Sequence, residues 1–142
     1  MPGRHAKFWL VAIIVLTVIG FADATFLTVE HFRGGTIPCL ITSGCETVTT
    51  SRYSSWGPVP VALAGAIFYL VILVLTVAYL ESGYAKLKPV IFVSAAIAWL
   101  GSLRFVYLQA FVLHAYCFYC LVSATAVTLI LLCTIGARWY RV

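Results

Sequence analysis

The sequence predicts an all-α membrane protein: a four-transmembrane-helix bundle with one long loop between the first and second helices. Of its 142 residues, 63% are hydrophobic and only 9% are charged, and the mean hydropathy is +1.08. A soluble domain carries about 25% charged residues, so most of this surface is expected to face lipid. Four apolar runs are each long enough to cross a hydrocarbon core of about 30 Å, and a helix satisfies its own backbone hydrogen bonds there.

The four runs define a single predicted membrane domain over residues 1–142. Its spans are expected at about residues 8–29, 59–80, 90–113 and 117–137. The first run also resembles a signal peptide, because basic residues precede it and Ala22-Asp23-Ala24 looks like a cleavage site. Its apolar character continues from Thr25 to Val29, past that site. We therefore expect this run to be a retained helix.

The basic residues predict the orientation of the bundle. The net charge of +5 comes from residues scattered near span ends, which favours a topological role over a nucleic-acid surface. The two tails and the turn between the second and third spans carry unbalanced basic residues: Arg4, Lys7, Lys86, Lys88, Arg138 and Arg141. In the long loop, Arg33 and Arg52 are balanced by Glu30 and Glu46. We expect a multi-pass protein of the cell membrane with cytoplasmic termini and an extracytoplasmic loop.

Two cysteines mark the start of the fourth span. Cys117 and Cys120 are separated by two residues, and helix positions i and i+3 share a face. A helix N-terminus stabilises a thiolate, so this pair is typical of an exchangeable disulfide. The alternative is half of a structural zinc site, which would need a second close pair of cysteines or histidines. Cys39 and Cys45 are separated by five residues with no suitably spaced histidine, so no metal site is predicted.

The predicted topology brings four of the five cysteines to the extracytoplasmic side, where disulfides persist. Cys133 lies 13 residues beyond Cys120, about 20 Å deeper at helical rise, and is expected to be an inert apolar side chain. Four cysteines allow three pairings. The loop pair is suited to a soluble partner, whereas the helix pair is suited to an acceptor in the membrane. Since no haem, flavin or iron–sulfur signature is present, that acceptor is expected to be a lipid-soluble quinone (menaquinone, ubiquinone or a vitamin K-like compound).

Several motifs in this order resemble the vitamin K epoxide reductase family, in its small prokaryotic stand-alone form. They are Cys39-x5-Cys45, the stretch Thr50-Ser51-Arg52-Tyr53, the run from Gly57 to Gly65 that enters the second span, and Cys117-Phe118-Tyr119-Cys120. The similarity extends from about Phe8 to Ala137. Each motif is weak by itself, but their order and topology make the combination specific.

The resemblance implies a role for each of four cysteines. Cys120 would be nearest the quinone, and Cys117 would be attacked from the loop. Cys45 would shuttle to Cys117, while Cys39 would exchange with an extracytoplasmic thioredoxin-fold protein. That partner is expected to be a separate chain.

The resemblance also implies a quinone pocket, formed by Cys120 and by Val61, Ala62, Gly65 and Ala124. Polar side chains contact the vitamin K head group in animal members, whereas the second-span site here reads Val61-Ala62, and Ala124 stands in place of a tyrosine. Quinone reduction is therefore expected in preference to epoxide reduction.

These features predict a membrane thiol:quinone oxidoreductase that generates disulfides for exported proteins. One alternative is vitamin K quinone or epoxide reductase activity proper. Another is a DsbB-type quinone reductase, which also has four helices but typically carries a cysteine pair in each outward loop. A third is a non-enzymatic membrane subunit in which a Cys39–Cys45 disulfide is only structural.

Two ionisable residues fall inside predicted spans. Asp23 and Arg104 lie at similar depth on helices that run in the same direction, and charges within a membrane are usually paired or functional. One interpretation is an ion pair between Asp23 and Arg104, and another is direct contact of Arg104 with the quinone. The alternative is that Asp23 is hydrated near the surface and that Arg104 extends to the interface. His114 is expected to be a corner residue between the third and fourth spans.

Overall fold

A computed structural model of the protein describes residues 4–33, 55–56, 59–114 and 118–139. Four helices account for most of these residues: α1 Arg4–Arg33, α2 Val61–Ser82, α3 Leu87–Tyr107 and α4 Phe118–Trp139. α3 continues directly into a π-helical segment, Leu108–Leu113. Two short antiparallel strands, β1 Ser55–Trp56 and β2 Val59–Pro60, precede α2.

The predicted four-helix membrane fold is confirmed. The stretches long and apolar enough to cross a membrane are Lys7–Glu30, Val61–Ser82, Leu87–Val112 and Phe118–Gly136. The second helix begins at Val61 and not at Val59, because Val59 and Pro60 pair with β1. α3 begins at Leu87, earlier than predicted, since Pro89 is compatible with a first helical turn.

The helices run alternately up and down and pack in a ring, so each has two neighbours. α1 packs against α2 and α4, and α3 packs against the same two helices. α1 is therefore diagonal to α3, and α2 is diagonal to α4. The C-terminus of α1, the start of α2, the end of the π-helical segment and the start of α4 share one end of the bundle. We call this the Cys120 end, and the opposite one the Lys86 end.

Apolar side chains cover the outside of the bundle, as expected for contact with lipid. In the most apolar stretch of α3, only 11% of the residues are buried, and in the corresponding stretch of α1 the share is 33%. Outward-facing residues occur on all four helices and include Val11, Val15, Val18, Ile67, Val74, Val93, Ile97, Leu100, Leu129 and Leu132. Because lipid tails are as apolar as these side chains, helix association in a membrane depends on close packing and on interhelical hydrogen bonds.

Small residues allow α1 and α2 to approach closely. Gly20 and Ala24 are one turn apart on α1, and both are buried. A Cβ atom on Gly20 would overlap the ring of Tyr69. One turn further along, a Cβ atom on Gly65 would lie 3.9 Å from the Cβ of Ala24. This is the small-residue spacing that membrane helices use to bring their backbones together.

Replacement of Gly20 by alanine should destabilise the bundle, since the new Cβ atom would displace the Tyr69 ring from α1. Overpacking of this kind costs about 1–3 kcal/mol. Thermal unfolding in detergent micelles measures the loss. Gly101→Ala is the matched control, because its Cβ atom would meet nothing within 4 Å and it has the same gain in helix propensity of about 1 kcal/mol. Equal effects of the two substitutions would show that Gly20 makes no special contact.

Candidate functional site

Cys120 lies in the first turn of α4 and is half-buried at one end of the bundle. Cys117 directly precedes this helix in the sequence, and Cys39 and Cys45 fall in the segment between α1 and β1. All three lie outside the described residues, so the thiol relay of four cysteines stays a prediction. The start of α4 near residue 117, which the relay requires, agrees with the predicted span.

Cys133 occupies a different part of the molecule. It is 8% exposed and belongs to the buried core cluster, where its neighbours include Leu10 and Ile130. A turn further along α4, the backbone of Gly136 lies against the indole of Trp9, where an added Cβ atom would be 3.0 Å from the ring. Cys133 is therefore near the Lys86 end, remote from Cys120, as expected for a side chain that only fills space.

A tyrosine crosses the bundle one turn below Cys120. Tyr69 on α2 is 4% exposed and its ring lies on the backbone of Gly20. Its hydroxyl lies 2.8 Å from the carbonyl oxygen of Ser123, to which it donates, and 2.8 Å from the Ser123 Oγ atom, where either hydroxyl can be the donor. Ser123 is three residues beyond Cys120, hence one helical turn away on the same side of α4. The bond therefore joins two diagonal helices through the centre of the bundle.

Among the residues that the structure describes, Asp23 is the exception to the pairing of buried polar groups. Its Oδ2 atom is buried and has no hydrogen-bond partner. The buried threonines, by contrast, donate to carbonyl oxygens of their own helices at 2.6–2.8 Å; they are Thr17, Thr28, Thr76 and Thr134. Since most buried polar atoms in proteins are paired, Asp23 requires an explanation.

The predicted ion pair between Asp23 and Arg104 is wrong. The two residues lie on α1 and α3, which are diagonal in the bundle. Arg104 is exposed on the outer surface of α3. Among the described residues, an ion pair joins Arg33 to Glu30 within α1, with 3.9 Å between Nη1 of Arg33 and Oε1 of Glu30. The sequence did not show which way each side chain points around its helix.

Aromatic packing fixes the level of Asp23 relative to α4. The rings of Phe26 and Tyr119 are 5.1 Å apart, and α1 and α4 run in opposite directions. Three residues further into the bundle lie Asp23 on α1 and Val122 on α4, immediately before Ser123. Asp23 is three residues beyond Gly20, so it lies on the same side of α1 as the Tyr69 ring. Asp23, Tyr69 and Ser123 therefore form one polar cluster just inside Cys120, which we call the Asp23 cluster.

The predicted quinone-pocket residues are distributed over two diagonal helices. Val61, Ala62 and Gly65 lie in the first two turns of α2, and Ala124 lies one turn beyond Cys120 on α4. All four are half-buried at the same end of the bundle. Gly65 faces Ala24 of α1. The pocket itself stays a prediction.

An open apolar groove of about 340 Å³ lies elsewhere, between α1 and α4. Its lining contains none of the predicted pocket residues and consists of Leu16, Ile19, Phe118, Leu121, Val122, Thr125, Ala126 and Leu129. At about 100° per residue, these α4 positions form a face other than the one that carries Cys120 and Ser123. The groove faces the lipid side of the α1–α4 contact.

The π-helical segment at the Cys120 end was not predicted. It contains Gln109, which is fully buried and whose amide nitrogen lies 3.5 Å from the carbonyl oxygen of Phe105. His114 ends the segment in a left-handed conformation with φ 51°, and its backbone N–H donates to the backbone carbonyl oxygen of Gln109. The expectation that His114 is a corner residue agrees with this geometry. Segments of this kind often occur at functional sites.

Three polar residues in this region, Tyr69, Gln109 and Ser123, were missed by the interpretation of the sequence. Each is a hydrogen-bonding side chain inside an apolar span, which was a usable signal because such groups are costly in lipid unless they have partners. The arrangement places hydroxyl and carboxyl groups one turn from a half-buried thiol. Such groups can hold and transfer protons during thiol chemistry.

Comparison with known proteins agrees with this architecture. The model of the vitamin K epoxide reductase family matches residues 11–135, which include all four helices for most of their lengths and all five cysteines. No curated protein matches the sequence significantly. The matched region covers most of the chain. The chain therefore belongs to the vitamin K epoxide reductase family, whose members are membrane oxidoreductases that act on quinones.

Proposed function

We propose that this protein is a thiol:quinone oxidoreductase of the cell membrane that generates disulfides for exported proteins. Electrons would enter from the dithiol of an extracytoplasmic thioredoxin-fold protein at Cys39 and Cys45. They would pass to Cys117 and Cys120, and from there to a quinone in the bilayer. The observation that carries the proposal is the position of Cys120 at the start of α4, half-buried at the end of the bundle.

The path of the chain supports this assignment. The segment that contains Cys39 and Cys45 leaves α1 after Arg33 and returns through β1 and β2 to α2. Both attachment points lie at the Cys120 end. A segment of about 20 residues fixed at two such points can bring a thiol to the start of α4, because an extended chain spans about 3.3–3.6 Å per residue. The loop pair is then the one that a soluble partner can reach.

Each transfer is a thiol–disulfide exchange that moves two electrons. The partner dithiol reduces the Cys39–Cys45 disulfide and is itself oxidised. Cys45 then attacks Cys117 in the Cys117–Cys120 disulfide, forms a mixed disulfide and releases the Cys120 thiolate. Cys39 resolves the mixed disulfide, which leaves Cys117 and Cys120 reduced. Oxidation of that dithiol gives two electrons and two protons, which convert a quinone to its hydroquinone.

The proposed orientation puts these cysteines on the extracytoplasmic side and both termini in the cytoplasm. Lys86 is exposed and Lys88 is near it at the Lys86 end, and Arg4 and Lys7 are exposed at the same end. At the Cys120 end, Arg33 is paired with Glu30. Basic residues favour the cytoplasmic side, so this distribution supports the orientation. It also directs the redox centre toward the compartment in which disulfides persist.

The relay predicts a different block for each cysteine substitution. Cys120→Ser should stop quinone reduction, while a Cys45–Cys117 link still forms by attack of Cys117 on the Cys39–Cys45 disulfide, with release of the Cys39 thiolate. Cys117→Ser should prevent transfer from the loop but leave quinone binding intact. Cys39→Ser should block transfer from the soluble partner. The measurements are quinone absorbance with a reduced thioredoxin-fold substrate and gel mapping of the disulfides in each variant.

Cys133→Ala is the matched control for this series. Because Cys133 is buried remote from the Cys120 end, its loss should leave the quinone rate unchanged and cost only a small amount of stability. If Cys39→Ser oxidises the partner at the wild-type rate, the loop disulfide is a structural cross-link and the relay is wrong. If wild-type protein reduces no quinone, the proposed enzyme activity is wrong.

The orientation can be tested with two exposed positions at opposite ends of the bundle. In a variant without native cysteines, Arg33→Cys should react with an impermeant thiol reagent added outside intact cells. Lys86→Cys should react only after the membrane has been opened, because it lies at the other end. Labelling of both positions from the same side would contradict the four-span topology. Reversed labelling would contradict the cytoplasmic placement of the termini.

A further inference from the structure

We propose that Asp23, Tyr69 and Ser123 form a proton path that serves the cysteine pair at the start of α4. This inference rests on the proposed function and assigns a role to a cluster that the thiol relay does not use. Asp23 acts through Tyr69 and Ser123 and is a proton-relay residue, not a group that touches the quinone. The chemistry at Cys120 requires such groups, because both thiol oxidation and quinone reduction move protons together with electrons.

The buried oxygen of Asp23 indicates a role beyond stabilising the fold. Its Oδ2 atom has no hydrogen-bond partner, although the surrounding threonine hydroxyls in the spans are bonded to their own helices. Arg104 does not pair with it, since its side chain is exposed on the outside of α3. An ionisable group inside a membrane is costly and usually marks an ion or proton pathway. A carboxyl group that serves only to stabilise the fold would be expected to have a partner for that oxygen.

Polar groups follow one another from α1 through α2 to α4. Asp23 is three residues beyond Gly20, on which the Tyr69 ring lies, so its carboxyl group is on the side of α1 that the phenol crosses. The Tyr69 hydroxyl is 2.8 Å from the Ser123 Oγ, and either atom can be the donor. A hydrogen bond that can be donated in both directions is what proton transfer along hydroxyl groups requires. Ser123 then lies one turn from Cys120 on the same helix.

Packing contacts hold the Asp23 cluster in place. The Tyr69 ring is confined between its own helix and the backbone of Gly20. Gly20 is three residues before Asp23, so α1 supplies both the surface for the ring and the carboxyl group. The Phe26–Tyr119 ring contact, 5.1 Å between centroids, sets the level of α1 against α4 on the other side. These contacts lie within the protein and need no substrate. They hold all three members of the Asp23 cluster in place.

The proton count closes without an additional reactant. Oxidation of the Cys117–Cys120 dithiol to a disulfide releases two electrons and two protons. Reduction of the quinone to its hydroquinone takes up two electrons and two protons. In the proposed path, a proton from the Cys120 thiol passes through the Ser123 hydroxyl to that of Tyr69, which turns from the Ser123 carbonyl and passes a proton to the carboxylate of Asp23. The same route in reverse returns it to a quinone oxygen as the negative charge develops there.

Asp23→Asn tests the path, because asparagine has nearly the same shape but cannot release a proton in this way. Its quinone-reduction rate should fall by about 100-fold, within the range expected for the loss of a proton-transfer group. Thiol exchange between the loop and the partner, and the unfolding temperature, should stay near wild type. Asp23→Glu, which keeps the carboxyl group, should recover most of the rate. Tyr69→Phe should lower the rate in the same direction.

Thr76→Val is the matched control for the loss of a buried hydroxyl from α2. Thr76 is fully buried and donates at 2.7 Å to Ile72 of its own helix, so it has no part in the path. Its substitution should leave the quinone rate unchanged. A wild-type rate in Asp23→Asn would overturn the proposal, as would an equal loss of rate in Thr76→Val.

A second measurement separates this inference from the proposed function, because it needs no quinone. Infrared difference spectra of the purified protein, recorded between its disulfide and dithiol states, should contain a carboxyl band. The chain has four acidic residues in total, so the band can be assigned. It should vanish in Asp23→Asn and persist in Glu81→Gln, which removes an exposed carboxyl group at the Lys86 end. If the wild-type protein reduces no quinone but this band is present, the proposed function fails and the coupling of Asp23 to the thiols stands. A band that persists in Asp23→Asn would overturn the coupling.

Discussion

The hydrogen bond between Tyr69 and Ser123 is the interaction on which the arrangement of the Cys120 end depends. It joins α2 to α4 across the diagonal of the bundle, where the two helices are not packing neighbours. The phenol ring can reach that far because Gly20 leaves room for it on α1. Interhelical hydrogen bonds in membranes contribute about 0.6 kcal/mol on average. The importance of this one is therefore mainly geometric: it fixes the relative position of three helices.

The bilayer explains why the polar groups in the spans are so few and so consistently bonded. Lipid offers no hydrogen-bond partner, so each buried threonine bonds to a carbonyl oxygen of its own helix. These hydrogen bonds stay within one helix, so they do not connect neighbouring helices, and they leave the outer surface of the bundle apolar. The Asp23 cluster differs in both respects, since it crosses between helices and contains an unbonded oxygen. It also lies next to the thiol end of the bundle, where proton transfer would be needed.

The two ends of the molecule have different characters. At the Lys86 end, α2 and α3 are joined by a short turn, and Arg4, Lys7 and Lys86 are exposed. The contacts there are mainly packing contacts, such as that of Trp9 with Gly136. At the Cys120 end, two strands, a π-helical segment and a left-handed residue interrupt the regular helices. Since π-helical segments often occur at functional sites, this geometry agrees with a functional site at this end.

The sequence by itself determined the number of helices, their approximate bounds and the family. Long apolar runs are decided by local composition, because any such run must be helical to cross lipid. Cys120 was placed at a helix start for the same reason, since its position there depends only on where the apolar run begins. The beginning of α2 was misplaced by two residues because strand pairing of Val59 and Pro60 depends on residues further back in the chain.

Only the tertiary structure decided which side chains meet. Whether Asp23 and Arg104 pair depended on the direction of each side chain around its helix, and Arg104 proved to lie on the outside of α3. The contact of Tyr69 with Ser123, 54 residues apart in the sequence, has no local signature for the same reason. Rotation of a helix about its axis is fixed by packing against its neighbours. In spans that are apolar on nearly every side, the hydrophobic pattern alone does not reveal it.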